Sequence, residues 1–214
     1  MKKESTKDKL LKAAAQLFSQ SSFSDLTTRE IASKAKVNLS AIKYYFSTKE
    51  NLFIETLNML LVEIRNENVE NLNFEDSISQ KEAINRFKNF IRNFTELMSL
   101  PRSVHPCKMM LREFLALNRK NKKMCETMVS IITEEFVRPF EEKVVKLLSL
   151  VAPEFSKKEY AMVFQLICAM CTHCLLSGEY IKRMYGIDYT KSEELNKFSD
   201  YVANFSLKGL GVTV

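Results

Sequence analysis

From Leu10 onward, apolar side chains recur at spacings of three and four, the period of helices that bury one face. The first such stretch predicts a helix over about Thr6–Gln20, with Leu10, Ala14, Leu17 and Phe18 inward. Thr27 and Glu30 then form T-x-x-E, a capping box in which a hydroxyl and a carboxylate satisfy orphan amides at a helix start. Ile31, Ala32 and Ala35 supply a short apolar face behind it. Val37 and Asn38 end a turn, and Asn38 can cap the next helix, in which Ile42 and Phe46 sit four apart and point inward. Ser47 and Glu50 predict a second capping box, opening a longer helix at Lys49 that continues to about Glu67.

The remaining chain continues the helical period. Glu70–Ser79 is polar and reads as a connection. A helix follows at about Lys81–Leu100, with Ile84, Phe87, Ile91, Phe94 and Met98 on one face. Pro101 and Pro106 bracket a break, and Cys107–Asn118 forms the next helix. A longer one runs from about Lys123 to Leu150 with Pro139 inside it, where the missing N–H and the ring clash predict a kink. Ser156–Tyr185, opened by the capping box Ser156-x-x-Glu159, and Ser192–Leu207 complete the set. With only 4 Gly and 4 Pro in 214 residues, and few alternating strand-like runs, the expected class is all-α.

Charge singles out the first quarter of the chain. Residues 1–50 hold ten Lys/Arg against five acids, a net +5 of the whole chain's +6, which leaves +1 for the other 164 residues. Two short helices joined by a tight turn, with the second offering Leu39, Ser40, Lys43, Tyr44 and Tyr45 outward, form the helix-turn-helix layout. A solvated face usually mixes both charge signs, whereas this one offers donors, aromatics and cations suited to phosphates and base edges. An ordinary small helical bundle would share the caps and the apolar face but not this polarity.

The pattern T-x-x-x-I-A-x-x-A-x-V-x-x-x-x-I-x-Y-Y-F-x-x-K-E-x-L-F from Thr27 to Phe53 resembles the N-terminal domain of TetR-family transcriptional regulators, over about residues 8–56. The form from Val37 to Phe46 resembles the CecR-like subgroup, as Met110-Leu111-Arg112-Glu113-Phe114 does more weakly. The resemblance implies an N-terminal three-helix helix-turn-helix domain, about residues 1–52. It also implies a larger C-terminal helical domain, about 53–214, for ligand binding and dimerisation. It places Thr28 and Arg29 on a phosphate and a base edge, and Leu39, Ser40, Ala41 and Lys43 at the groove, with Asn38 counted among the DNA-binding residues. Tyr44, Tyr45 and Lys49 are placed on the DNA backbone. The implied partners are double-stranded DNA with a near-palindromic operator, a second copy of the chain through the last two helices, and a small apolar or aromatic effector. Three positions depart from the family habit. Ser22 and Lys36 stand where Gly is usual, at a cost of about 1 kcal/mol each if the backbone is left-handed, and Lys43 stands where Tyr is common.

The Met- and Phe-rich stripes of the C-terminal part suggest walls for that effector: Phe94, Met98, His105, Met109, Met110, Phe114, Met128, Phe136, Phe164 and Cys168. Cys168, Cys171 and Cys174 cover roughly 120° of a helix while His173 points away, so the run does not gather the four ligands of a zinc site. Close packing of small thiols is the expectation, with a thiol-based redox sensor as the alternative and a helical protein-interaction module as a further one. No Gly-rich phosphate loop, paired-carboxylate motif or metal-ligand spacing is present, so no enzyme activity, cofactor or metal is expected. No run of 18 apolar residues and no apolar N-terminal core occur, and the expected location is cytoplasmic, with no membrane contact.

Overall fold

The computed structural model describes residues 4–69, 72, 77–99, 107–109, 112 and 122–213. Among these, all long elements are helical and no strand occurs. The helices are α1 (Thr6–Gln20), α2 (Thr28–Ala35), α3 (Ser40–Phe46), α4 (Lys49–Val69) and α5 (Gln80–Ser99). They are followed by α6 (Lys122–Ile131), a π-helical stretch (Ile132–Val137), α7 (Arg138–Val151), α8 (Lys157–Tyr185) and α9 (Ser192–Gly209). The chain divides into two compact units, Met1–Ile64 with His105–Val137, and Arg65–Val104 with Arg138–Val214.

The first unit is built around aromatic contacts. Phe18 and Phe53 meet edge to face at 4.8 Å between centroids, Phe23 and Phe53 at 5.6 Å, and Phe18 stacks beside Phe23. Leu10, Ala14, Ile31, Ile42, Phe46, Leu57 and Leu61 close the core around them. Met109, Met124 and Met128 are buried in the same core, so a downstream segment completes the packing of the first helices. Most of the expected inward positions of α1 to α3 are buried, with Leu17 partly so.

In the second unit, α5 packs against α7, α8 and α9. Phe90, Phe94, Phe140 and Phe164 form a continuous aromatic core, with successive centroids 5.2–5.8 Å apart. The end of α7 is secured from both flanks, because Gln80 Nε2 donates to the Val151 carbonyl at 2.8 Å and Tyr160 Oη donates to that of Ala152 at 2.6 Å. Buried hydroxyls of Thr95, Ser199 and Ser206 donate to the carbonyl four residues back, so they add no unpaired polar group.

Helix boundaries follow local chemistry. The Thr27–Glu30 and Ser156–Glu159 boxes form as expected, and a third, Ser5–Asp8, opens α1. The box expected at Ser47 and Glu50 does not form. Ser47 is in a left-handed conformation (φ 66°, ψ −47°), and the Thr48 amide donates to the Phe46 carbonyl at 2.7 Å, closing a γ-turn. That turn brings the Thr48 hydroxyl to the cap, where it accepts the Asn51 amide at 3.1 Å. The interruption expected at Pro139 takes the form of the π-helical stretch just ahead of it, with the proline in the first turn of α7, where its missing N–H costs nothing. The helix expected at Cys107–Asn118 lies largely outside the described residues.

Lys36 adopts φ 55°, ψ 45°, the left-handed conformation a glycine takes freely; Ser22, by contrast, does not have a positive φ. Lys36→Gly should therefore raise the free energy of unfolding by about 0.5–1 kcal/mol. Urea denaturation checks this, and a destabilised variant would contradict the strain.

Candidate nucleic-acid interface

Two caps and two turns fix the face that α2 and α3 present. At the start of α2, the Thr27 amide and hydroxyl both donate to Glu30 Oε2 at 2.7 Å, and the Glu30 amide returns a bond to Thr27 Oγ1. These hydrogen bonds hold the Glu30 carboxyl below its usual range, so this acid is engaged as a cap. At the other end, the Lys36 amide reaches the Ser33 carbonyl and the Val37 amide the Ala32 carbonyl, which is the Schellman pattern. Val37 packs back on the core. Asn38 Oδ1 then accepts the amide and hydroxyl of Ser40 at 2.9 and 2.8 Å, starting α3 as expected.

The seven residues of α3 divide cleanly. Ile42 and Phe46 are buried, while Ser40, Lys43, Tyr44 and Tyr45 are exposed, Tyr44 by 80%. Leu39, just ahead of the helix, is also exposed, and Ala41 is half-buried. The rings of Tyr44 and Tyr45 meet edge to face at 4.8 Å, which stiffens two phenols on one surface. Thr28 is half-buried and Arg29 exposed at the first turn of α2. No acid occurs from Ile31 to Lys49. Lys7 and Lys12 are paired with Glu55 and Glu4, whereas no ion pair among the described residues engages Arg29, Lys34, Lys36 or Lys43. Unpaired cations therefore sit on α2, its C-cap and α3. A recess of about 280 Å³ between α1 and α2 is lined by Lys9, Lys12, Lys34 and Lys36, with Glu4 among them. Charge counting found this excess but not its convergence, which depends on how α1 crosses α2.

Lys49 behaves differently from its expected place on the DNA backbone. Its Nζ donates to the carbonyls of Phe23 and Leu26, both at 2.8 Å, and stands 4.1 Å from the Phe23 ring centroid. Two of its three N–H groups are thus committed to the loop between α1 and α2.

The suggested effector-lining residues fall in both compact units. Phe94 and Phe164 share the aromatic core of the second unit, Met98 is buried on α5, and Cys168 is partly buried on α8. Met109 and Met128 belong to the core of the first unit. His105, Met110 and Phe114 lie outside the described residues, as does the side chain of Phe136. A separate apolar recess of about 520 Å³ opens on the surface of α8 and α9, lined by Met170, His173, Phe198, Tyr201, Val202 and Phe205. Periodicity marked some of these positions as apolar but gave no sign that they stay uncovered.

Burial pushes the thiols of Cys168 and Cys171 up to about 12 and that of Cys107 up to about 11. For Cys168, the neighbouring Cys171 and Glu141 add to the rise. Reactive thiols are shifted the other way, so the redox alternative is not favoured. Among the described residues, no three His, Cys, Asp or Glu side chains gather as a metal site, and no single helix is long and apolar enough to cross a membrane.

The model of a family described as bacterial regulatory proteins, tetR family, matches residues 10–56. The likeness to the TetR family is carried by this segment. It is 50% identical over 50 residues to a Bacillus subtilis protein named Probable HTH-type transcriptional regulator YttP, a match covering 23% of this chain and 24% of the relative. The TetR-type match thus spans about a quarter of the curated relatives' length. Over the full length the likeness is one of fold. The fatty acid degradation regulator FadR from Bacillus halodurans superposes with a TM-score of 0.65 at 15% identity, covering 100% of both chains. FadR from Bacillus subtilis, solved in complex with stearoyl-CoA, gives 0.60 at 14% identity, covering 94% of this chain and 97% of that one. Over its length the chain therefore shares the all-helical fold of these neighbours.

Two outcomes follow from this geometry. Lys49→Ala should cost about 2 kcal/mol of stability and leave the salt dependence of duplex binding nearly unchanged, whereas Lys43→Ala should flatten the slope by about 1. Denaturation and binding titrations at several salt concentrations separate the two. Cys168 and Cys171 should resist iodoacetamide in the native protein at pH 8 and react once it is unfolded; rapid native labelling would show a lower thiol pKa than burial implies.

Proposed function

We propose that this chain is a homodimeric, DNA-binding transcriptional repressor released by a small apolar or aromatic effector. The observation that carries the reading is the outward face of α3. It presents hydroxyls, phenols and a cation, with no acid, on a helix held by caps at a TetR-type turn. In this reading Leu39, Ser40, Ala41 and Lys43 meet base edges in the major groove. Thr28, Tyr44 and Tyr45 hold phosphates, and Arg29 can pair with a guanine. Asn38 acts by starting α3, and Lys49 by holding the loop ahead of α2. The form from Val37 to Phe46 supports a CecR-like subgroup.

The dimer is supported by the outer faces of α8 and α9. Met162, Leu166 and Met184 on α8, and Tyr201 and Phe205 on α9, are more than half exposed, Tyr201 by 78% and Phe205 by 70%. A row of large apolar side chains on two long helices suits a self-complementary interface. Two copies would set their α3 helices in successive major grooves, roughly 34–36 Å apart. Residues 53–214 would then serve effector binding and assembly. Its Phe- and Met-rich interior suits an apolar ligand, in keeping with the acyl chain bound by the fold neighbour solved with stearoyl-CoA. Release requires the effector to bind the DNA-incompetent state more tightly than the competent one.

Selection of bound duplexes from a random pool tests the reading. It should return a near-palindrome, and Lys43→Ala and Tyr44→Ala should each weaken binding to it by about tenfold or more while the protein stays folded. No selected duplex, or unaffected variants, would overturn the assignment. Light scattering should give a mass of about 50 kDa, twice the 24.8 kDa chain, and Phe205→Asp should shift it toward the monomer; a wild-type monomer would refute the interface.

A further inference from the structure

In the run from Met110 to Phe114 the sequence assigns Arg112 no role of its own, and the structure gives it one. Arg112 donates from Nη2 to the Ser19 carbonyl at 3.0 Å and from Nη1 to the Phe18 carbonyl at 3.3 Å. Both oxygens belong to the last turn of α1, where the helical ladder runs out of donors. The Leu17 carbonyl takes the Ser21 amide, and this turn holds no basic side chain of its own. A planar guanidinium can span two successive carbonyls and also places a cation at the negative end of the helix. Three residues before it, Met109 is buried in the same core as Phe18 and Phe53, so this contact has a fixed root.

The cap lies at the start of a short mechanical sequence. After α1 comes the loop whose carbonyls at Phe23 and Leu26 are held by Lys49. Next is the Thr27 cap of α2, and directly behind it are Thr28 and Arg29. Arg112 braces the near end of this loop and Lys49 the far end. Lys49 belongs to the TetR-type segment itself, whereas Arg112 comes from more than 80 residues downstream of Arg29.

We propose that Arg112 is a positioning residue for DNA recognition: by capping α1 it fixes the loop that aims the first turn of α2. This rests on the DNA-binding reading above. Arg112 touches no phosphate in this role, which separates it from the cations of α2 and α3.

The test uses the full-length protein, a duplex selected from the random pool, and the variants Arg112→Met and Arg112→Lys. Arg112→Met should bind about tenfold more weakly, with an unchanged active fraction in stoichiometric titration and an unchanged salt slope. Arg112→Lys, which keeps the charge but not the fork, should be only two- to threefold weaker. Amide exchange over Ser21–Leu26 should quicken in the methionine variant. Equal affinity of wild type and Arg112→Met would overturn the proposal. A slope flatter by about 1 would make Arg112 a phosphate contact instead, and a lost active fraction at constant affinity would make it only structural. Should the methionine variant not fold, the lysine variant decides, since unchanged binding there contradicts the fork geometry. Failure of the wild type to select any duplex would instead remove the DNA-binding reading, and this proposal with it.

Discussion

Carbonyls of a connecting loop need donors, and two in the loop between α1 and α2 converge on a single ammonium. The bonds from Lys49 to Phe23 and Leu26 tie the loop to the first turn of α4. The Phe23 ring beneath the cation packs against Phe18 and Phe53, so the same contact joins the polar brace to the aromatic core. The placement of α2 and α3 depends on it. Thr27 caps α2 one residue after Leu26, the Schellman turn at Lys36 ends that helix, and Asn38 starts the next. Ten residues separate the two caps at Thr27 and Asn38, and little in that stretch could absorb an error in where it begins.

Much of this was readable from residue spacing, because caps are local. A hydroxyl three residues before a carboxylate needs nothing distant, and the boxes at Thr27 and Ser156 form as their spacing implies. The burial of Ile42 and Phe46 opposite Lys43 and Tyr44 follows from helical phase alone. Spacing failed where two local solutions compete. Ser47 and Thr48 both offer a hydroxyl, and the choice of Thr48 was made by a γ-turn that no pattern announces. It failed again where a partner is remote. Periodicity says that Met109 and Met128 face inward, but not that the core they enter is that of the first three helices. Lys49 carries the same chemistry whether it meets a phosphate or a carbonyl, and only the fold decides which lies within reach.

The second unit resolves a different tension. Its sequence contains thiols, hydroxyls and aromatic rings that could signal chemistry. The structure uses most of them for packing. Thr95, Ser199 and Ser206 turn their hydroxyls back to their own helices, and burial keeps Cys168 and Cys171 protonated. What is left over is apolar and outward, on α8 and α9, where Tyr201 and Phe205 stay in water unless something covers them. The polar face of the first unit and the apolar face of the second thus offer two kinds of recognition, one electrostatic and salt-sensitive, the other driven by area.

The left-handed turn at Lys36 also bears on what holds the interface in shape. A glycine there would visit the required conformation freely in the unfolded chain, whereas lysine rarely does. The turn is therefore held by its contacts: the amides of Lys36 and Val37 on the last carbonyls of α2, and Val37 against the core. The angle between α2 and α3 is thus set by the hydrophobic core as much as by the turn, and the outward face inherits its geometry from that packing.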